Sequence, residues 1–300
     1  MPAAKNNHEK FGGCLSARDG EGGGMIVHAV QLDCVWEDPG ANRERVERLL
    51  AGLHCREDDL VVLPEMFLTG FSVNTTVTVQ DSGGMHEALL AEWAARLGCA
   101  VLGGVVSRDA TGVFNEAVAY APSGDLLTRY AKQRPFSLGG ESAVHDRGRQ
   151  AKVFDWAGLR VGPFICYDLR FPEIAREAVQ LGAEVLVCIA SWPVARVEHW
   201  LTLLRARAIE NQAYVVGVNR CGKDPHFIYP GRSVVVDPHG VIVADASDRE
   251  GVITAECLPE VVRAWRERFP ALRDAGMWVE RAETDFSGVG SAGMGQSMPS

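Results

Sequence analysis

The sequence has no cluster of lysines and arginines, no apolar run long enough to cross a bilayer, and no Cys-x-x-Cys pair. Each absence excludes something. Acidic residues outnumber basic ones, 39 Asp and Glu against 30 Lys and Arg, for a net charge of −9. A chain of that sign is poorly suited to the phosphate backbone, so no nucleic-acid partner is expected. Without about 18–20 consecutive apolar residues, no membrane span is expected either. No GxGxxG follows the first strand-like run and no Walker A loop occurs, so dinucleotide and P-loop folds have no support. The eight cysteines are dispersed, with Cys34, Cys99, Cys166 and Cys188 in or beside strand-like runs. They read as core residues of a protein in a reducing cytoplasm, not as a disulfide framework. His28, His54, His86 and His239 stand singly along the chain, so neither a metal site nor a metal cofactor is expected.

What is present suits one large α/β domain: 300 residues, of which 47% are apolar. The opening MPAAKNNHEKFGGCLSARDGEGGG lacks the apolar centre of a secretory signal and reads as a flexible extension. The closing SGVGSAGMGQSMPS has the same character. The expected organisation is an extension over 1–24, a globular domain over 25–285 and a tail over 286–300.

Strand-like runs and helical periodicities alternate through the domain. MIVHAVQLD, DLVVLPEM, CAVLGGVVS, WAGLRVGPFIC, AEVLVCIA and AYVVGVNR are rich in β-branched or continuous apolar residues, the pattern of strands covered on both faces. Helical spacing appears in NRERVERLLAGL, around His86–Leu97, from Pro172 to about Leu181 and over Glu198–Gln212. Antiparallel pieces lie between and after these units, including the hairpin SVVVDPHGVIVADA broken at Asp-Pro-His-Gly. Two α/β halves interleaved with hairpins imply a layered sandwich.

Three residues sit where chemistry is done, at strand ends. Glu65 follows VVLP, where Pro64 stops ladder pairing and apolar walls favour a carboxylate that takes up a proton. Taken alone it is a strand-end salt bridge. Lys132 stands at the junction of a strand and a Pro/Gly-containing loop; taken alone it is a solvated lysine. Glu141, nine positions on and after Gly-Gly, is placed to turn back toward it. Cys166 ends an apolar strand just before a helix opening at Pro172, which describes either a packed core thiol or a nucleophile on an elbow beside backbone N–H groups. Together a carboxylate, an ammonium and a thiol make a set for acyl transfer that needs no cofactor.

LPEMFLTGF, YAKQRPFSLGGE and GPFICYDLRFPE resemble, in order, the Glu, Lys and Cys segments of the nitrilase (carbon–nitrogen hydrolase) superfamily. HWLTLLRARAIENQAYVVGVNRCG and GRSVVVDPHGVIVADA resemble the segments that follow. The resemblance spans roughly Met25 to Asp274 and implies a four-layer αββα sandwich that pairs through helices into a homodimer or higher homo-oligomer. It also implies Glu65 as general base, Lys132 as oxyanion stabiliser, Cys166 as nucleophile, Glu141 as the second glutamate that orients them, and the Tyr167 N–H as an oxyanion donor. KQRPF departs from the Lys-x-His-Leu-Phe common in relatives, at Arg134 and Pro135, beside the expected substrate entrance.

Among branches the segments are most like omega-amidases acting on 2-oxoglutaramate-type amides. Deaminated-glutathione amidases, other small-amide or N-carbamoyl hydrolases, acyl transfer to an amine, and a catalytically silent binding homologue stay open at this point. Arg134, Arg170 and Arg220 are candidates for a substrate carboxylate and Trp192 for a pocket wall. For Arg170 a structural ion pair with Asp168 or Glu173 is the favoured reading.

Overall fold

The computed structural model describes residues 23–276; most of the expected extension, the last residues of the expected domain (277–285) and the whole expected tail (286–300) lie outside the described residues. Two large sheets carry the fold. In the first, Met25–Gln31, Leu60–Val62 and Ala100–Asp109 are parallel neighbours. Gly251–Cys257 closes one side antiparallel, and Gly112–Tyr120 with Leu126–Ala131 the other. In the second, Leu159–Ile165, Val185–Ala190 and Tyr214–Asn219 are parallel. Phe154–Trp156 flanks one side, and the hairpin Val234–Val236/Ile242–Asp245 the other.

The two-residue period of a strand decides how the layers stack. Leu60 and Val62 belong to the core shared with the second sheet, which contains Val161, Val187 and Val216. Val61 and Leu63 point the other way, into a separate core with Leu50, Leu90 and Trp93. That second core seats the helices Pro39–Leu50 and Met85–Leu97. On the far side, Pro172–Gln180 and Val197–Asn211 cover the second sheet. The result is the four-layer αββα sandwich.

Two local signals shape the element ends. Pro172 occupies the first turn of its helix, where its missing N–H costs nothing. Gly98 ends Met85–Leu97 in the left-handed conformation, φ 69°, which glycine adopts without strain. A small hairpin, Cys221–Lys223 with Ile228–Pro230, is an element that sequence periodicity did not reveal. Parallel strands end at one side of each sheet, so the residues after Val62, Ile165, Ala190 and Asn219 converge there.

Candidate active site

Glu65 lies three residues beyond the strand Leu60–Val62 and is fully buried. Its Oε1 accepts from Lys132 Nζ (2.8 Å) and Asn115 Nδ2 (2.8 Å), and its Oε2 accepts from the Ser191 backbone N–H (2.8 Å). Lys132 follows Leu126–Ala131 directly and is 1% exposed. Its ammonium also donates to Glu141 Oε2 at 2.8 Å. Glu141 opens a short 3-10 turn, Glu141–Ala143. It accepts in addition from Asn115 Nδ2 (2.7 Å) and from the Phe136 N–H (2.6 Å). Lysine and both glutamates thus form one buried, hydrogen-bonded cluster, with Asn115 bridging the two carboxylates.

The charges follow from this packing. Burial alone pushes the Lys132 ammonium down, but Glu141 and then Glu65 outweigh it and hold its pKa well above the usual lysine range. Burial pushes Glu141 up; Lys132, His145 and Asn115 pull harder and leave it at about 2. Lysine therefore stays an ammonium and Glu141 a carboxylate.

Cys166 begins the 3-10 turn Cys166–Arg170 at the end of Leu159–Ile165. Its φ is +47°, a conformation that strains a residue with a Cβ and recurs where a fold forces a side chain into a site. Asp168 holds the bend: Oδ2 accepts from Tyr130 Oη (2.7 Å) and the Ile165 N–H (3.1 Å), and Oδ1 from the Arg134 N–H (2.9 Å). The thiol, 8% exposed, lines a cavity with Phe71, Phe136, Tyr167, Ser191 and Trp192. Burial first, and the Glu65 charge second, push its pKa well up; Lys132 and the Ser191 N–H oppose them. The resting sulfur is a thiol, and a nucleophilic role for it would require a base to take its proton.

Of the residues singled out in the sequence, Glu65, Lys132 and Glu141 meet by direct hydrogen bonds, and Cys166 is near enough that their charges act on it. Tyr167 and Trp192 line the same cavity. Arg134 and Arg220 do not. Arg134 faces a separate polar cleft and Glu173 (3.6 Å). Arg220 is fully buried; its guanidinium donates to the carbonyls of Cys34 (2.8 Å), Cys221 (3.3 Å) and Lys223 (3.3 Å). It lies over the Tyr229 ring at 4.2 Å, backing a cavity wall without entering it. Arg170 differs in the other direction: it lines the cavity and makes neither expected ion pair, because Asp168 is saturated by other donors and Glu173 faces Arg134.

Asn115 and Ser191 went unnoticed in the sequence, and Asp168 figured there only as an ion-pair partner for Arg170. A polar residue inside the apolar run FNEAVAY was the one available signal for Asn115. His28, scattered in sequence, is brought within 4.8 Å of Cys55 and Asp59. Its two ring nitrogens lie 3.1 Å from Asp59 Oδ2 and 3.1 Å from Thr254 Oγ1, and Arg56 also bonds Asp59, so His28 and Asp59 are already engaged in a hydrogen-bond network.

The carbon-nitrogen hydrolase family profile matches residues 26–267. An omega-amidase YafV from Yersinia enterocolitica is 39% identical over 247 residues, covering 82% of this chain and 94% of the relative. A 2-oxoglutaramate amidase from Bacillus subtilis (strain 168) is 31% identical, covering 83% and 96%. Among solved structures, XC1258 from Xanthomonas campestris, a CN-hydrolase superfamily protein with an arsenic adduct in its active site, superimposes with a TM-score of 0.79. It is 37% identical and covers 84% of this chain and 97% of that one. A buried Glu–Lys–Glu cluster beside a strained cysteine, on an αββα frame matched almost end to end, makes this chain a member of the carbon–nitrogen hydrolase family of the nitrilase superfamily.

Proposed function

We propose that this chain hydrolyses the terminal amide of a small carboxylate-bearing compound, releasing ammonia through a thioester on Cys166. The observation that carries the reading is the buried Glu65–Lys132–Glu141 cluster adjoining a thiol on the cavity wall. Glu65 takes the thiol proton as sulfur attacks the amide carbon, and the carbonyl π electrons move to oxygen. Lys132 Nζ and the Tyr167 N–H hold that oxyanion; one such donor is typically worth about 3 kcal/mol. As the intermediate collapses, the C–N bond breaks and the Glu65 proton leaves with ammonia. Glu65 then deprotonates a water, which attacks the thioester; sulfur departs and recovers its proton from Glu65. Amide and water have become carboxylic acid and ammonia.

With Lys132 held as ammonium and Glu141 as carboxylate, Glu65 is the member of the cluster that shuttles protons. Glu141 acts by fixing the lysine. The names of the two relatives support an ω-amide of the 2-oxoglutaramate kind as substrate, and the shorter 2-oxosuccinamate is the other candidate. We also place the protein in the cytoplasm, which its free described cysteines support, and read it as a homodimer or higher homo-oligomer. The half-exposed Ile209 and Phe269, on or near the helix Val197–Asn211, support a helix-side contact.

Acid-quenched intact mass spectrometry during turnover of 2-oxoglutaramate tests the scheme. An acyl adduct is expected on wild type and none on Cys166→Ala, which should also release no ammonia. Ammonia release that survives in Cys166→Ala overturns the mechanism. Release that strictly requires an added amine acceptor overturns hydrolysis in favour of transfer.

A further inference from the structure

The cavity over Cys166 is walled mainly by rings, yet two arginines line it, Arg170 and Arg196. Each lies over an aromatic face: Arg170 over Trp192 at 4.8 Å, and Arg196 over Phe136 at 5.8 Å. Such faces position a cation without neutralising it. The cage is itself braced. Trp192 Nε1 donates to the Arg196 carbonyl (2.8 Å), and Tyr167 is packed between Phe136 and Phe171 at 5.0 and 5.2 Å.

Among the described residues, neither arginine has a carboxylate within ion-pair distance. The acids next to them in sequence are occupied elsewhere. Asp168 accepts from Tyr130, Ile165 and Arg134, and Glu173 faces Arg134. The side-chain contact of Arg170 with a polar group is to His199 Nδ1, at 3.3 Å. Burial first, and the Arg196 charge second, hold the Arg170 pKa below its ordinary value. The Arg196 charge thus acts on Arg170 repulsively, and among the described residues no carboxylate pairs with either to offset it. An anion arriving between them removes that repulsion and finds planar donors suited to carboxylate oxygens.

We propose that Arg170 and Arg196 together form the receptor for the substrate's carboxylate, and so select short-chain terminal amides with a carboxylate at the far end. The inference rests on the hydrolase reading above for the amide end of the substrate. A 2-oxo group beside the carboxylate adds an acceptor in reach of the same donors. The aromatic walls contact the methylenes between, while the amide reaches Cys166. These arginines touch the part of the substrate that does not react, so they set which amide is turned over and leave the bond-breaking steps to the cluster.

Glutaramate and pentanamide, one chain with and one without the terminal carboxylate, provide the test. Wild type should prefer glutaramate in kcat/KM by about a hundredfold or more. Arg196→Gln and Arg170→Gln should each cut that preference by about tenfold or more, chiefly by raising KM for glutaramate. Arg196→Lys should retain part of it. A preference unchanged in both glutamine variants, or an equal loss on both amides, overturns the proposal.

Calorimetry with glutarate, which has no scissile amide, reads the receptor apart from turnover. Arg196 stands on the half-exposed turn Val194–Arg196, where replacement spares the core. Glutarate should bind wild type and bind Arg196→Gln at least about tenfold more weakly; equal affinity overturns the receptor. A wild type that binds glutarate yet releases ammonia from no amide sinks the hydrolase reading and leaves the receptor standing.

Discussion

Asp168 touches no substrate atom in this scheme, yet it links the nucleophile's bend to the edge of the other sheet through Tyr130 and to the lysine segment through the Arg134 N–H. Burial lifts its carboxyl from 3.8 to about 6, against the pull of Lys132 and Tyr130. A carboxyl raised in the folded state binds its proton there more tightly than in the unfolded chain. Its contribution to stability is therefore fully present below about pH 4 and is lost as pH rises through about 6. At about 1.4 kcal/mol per pH unit, the swing is about 3 kcal/mol. Urea unfolding from pH 7 down to pH 4 should show wild type gaining stability relative to Asp168→Asn by about that amount. Parallel pH profiles for the two proteins contradict this assignment. Glu141, depressed to about 2, has the opposite sign: its contribution is present above about pH 4.5 and is lost as pH falls toward 2.

The strand Ala100–Asp109 positions the turn beside it that carries Glu65. Gly104 donates its N–H to the Pro64 carbonyl (3.2 Å) and accepts from the Phe67 N–H (3.3 Å), bracketing Glu65 and the left-handed Met66, φ +47°. A Cβ at Gly104 would stand 2.6 Å from Glu65 Cα and 2.7 Å from Met66 N. These are backbone atoms of a packed turn, so relief requires the turn itself to move. Displacing a catalytic group by about an ångström can cost a hundredfold in rate, and overpacking costs about 1–3 kcal/mol. Gly104→Ala should lower kcat by at least about tenfold and reduce urea stability within that range. Wild-type kcat together with an unchanged unfolding midpoint would show that the strand leaves the turn free to adjust.

The site belongs to neither sheet alone. Glu65 leaves the first sheet and accepts from the Ser191 N–H at the end of a strand of the second, so the proposed base comes beside the proposed nucleophile only when the two sheets are packed. Gln31 fastens the same seam, donating to the Ser247 (3.1 Å) and Arg249 (2.7 Å) carbonyls and accepting from the Ser233 N–H (2.8 Å). At the next level of assembly, sedimentation equilibrium should give at least twice the chain mass of 32.5 kDa. A species at the chain mass across micromolar concentrations would contradict the oligomer read from the family resemblance.

The linear pattern determined which stretches are strands and helices and which residues end them. Burial on both faces leaves continuous apolar runs such as LVVL, and a charged or thiol-bearing residue just past such a run stands out, as Glu65 and Cys166 did. Lys132, after the mixed strand LLTRYA, gained its meaning from the company of the other two and from the family resemblance. Periodicity reports how much of a segment is covered, and it reports nothing about which neighbour covers it. Only the packed structure decided that Asp168 would be spent on Tyr130 and two backbone N–H groups, leaving Arg170 free for the cavity. It likewise turned Arg220 inward onto backbone carbonyls and put Asn115 between two glutamates that lie 50 and 26 positions from it. A hydrogen bond depends on direction and on competition among donors within about 3 Å, and those are settled only when segments remote in sequence come into contact.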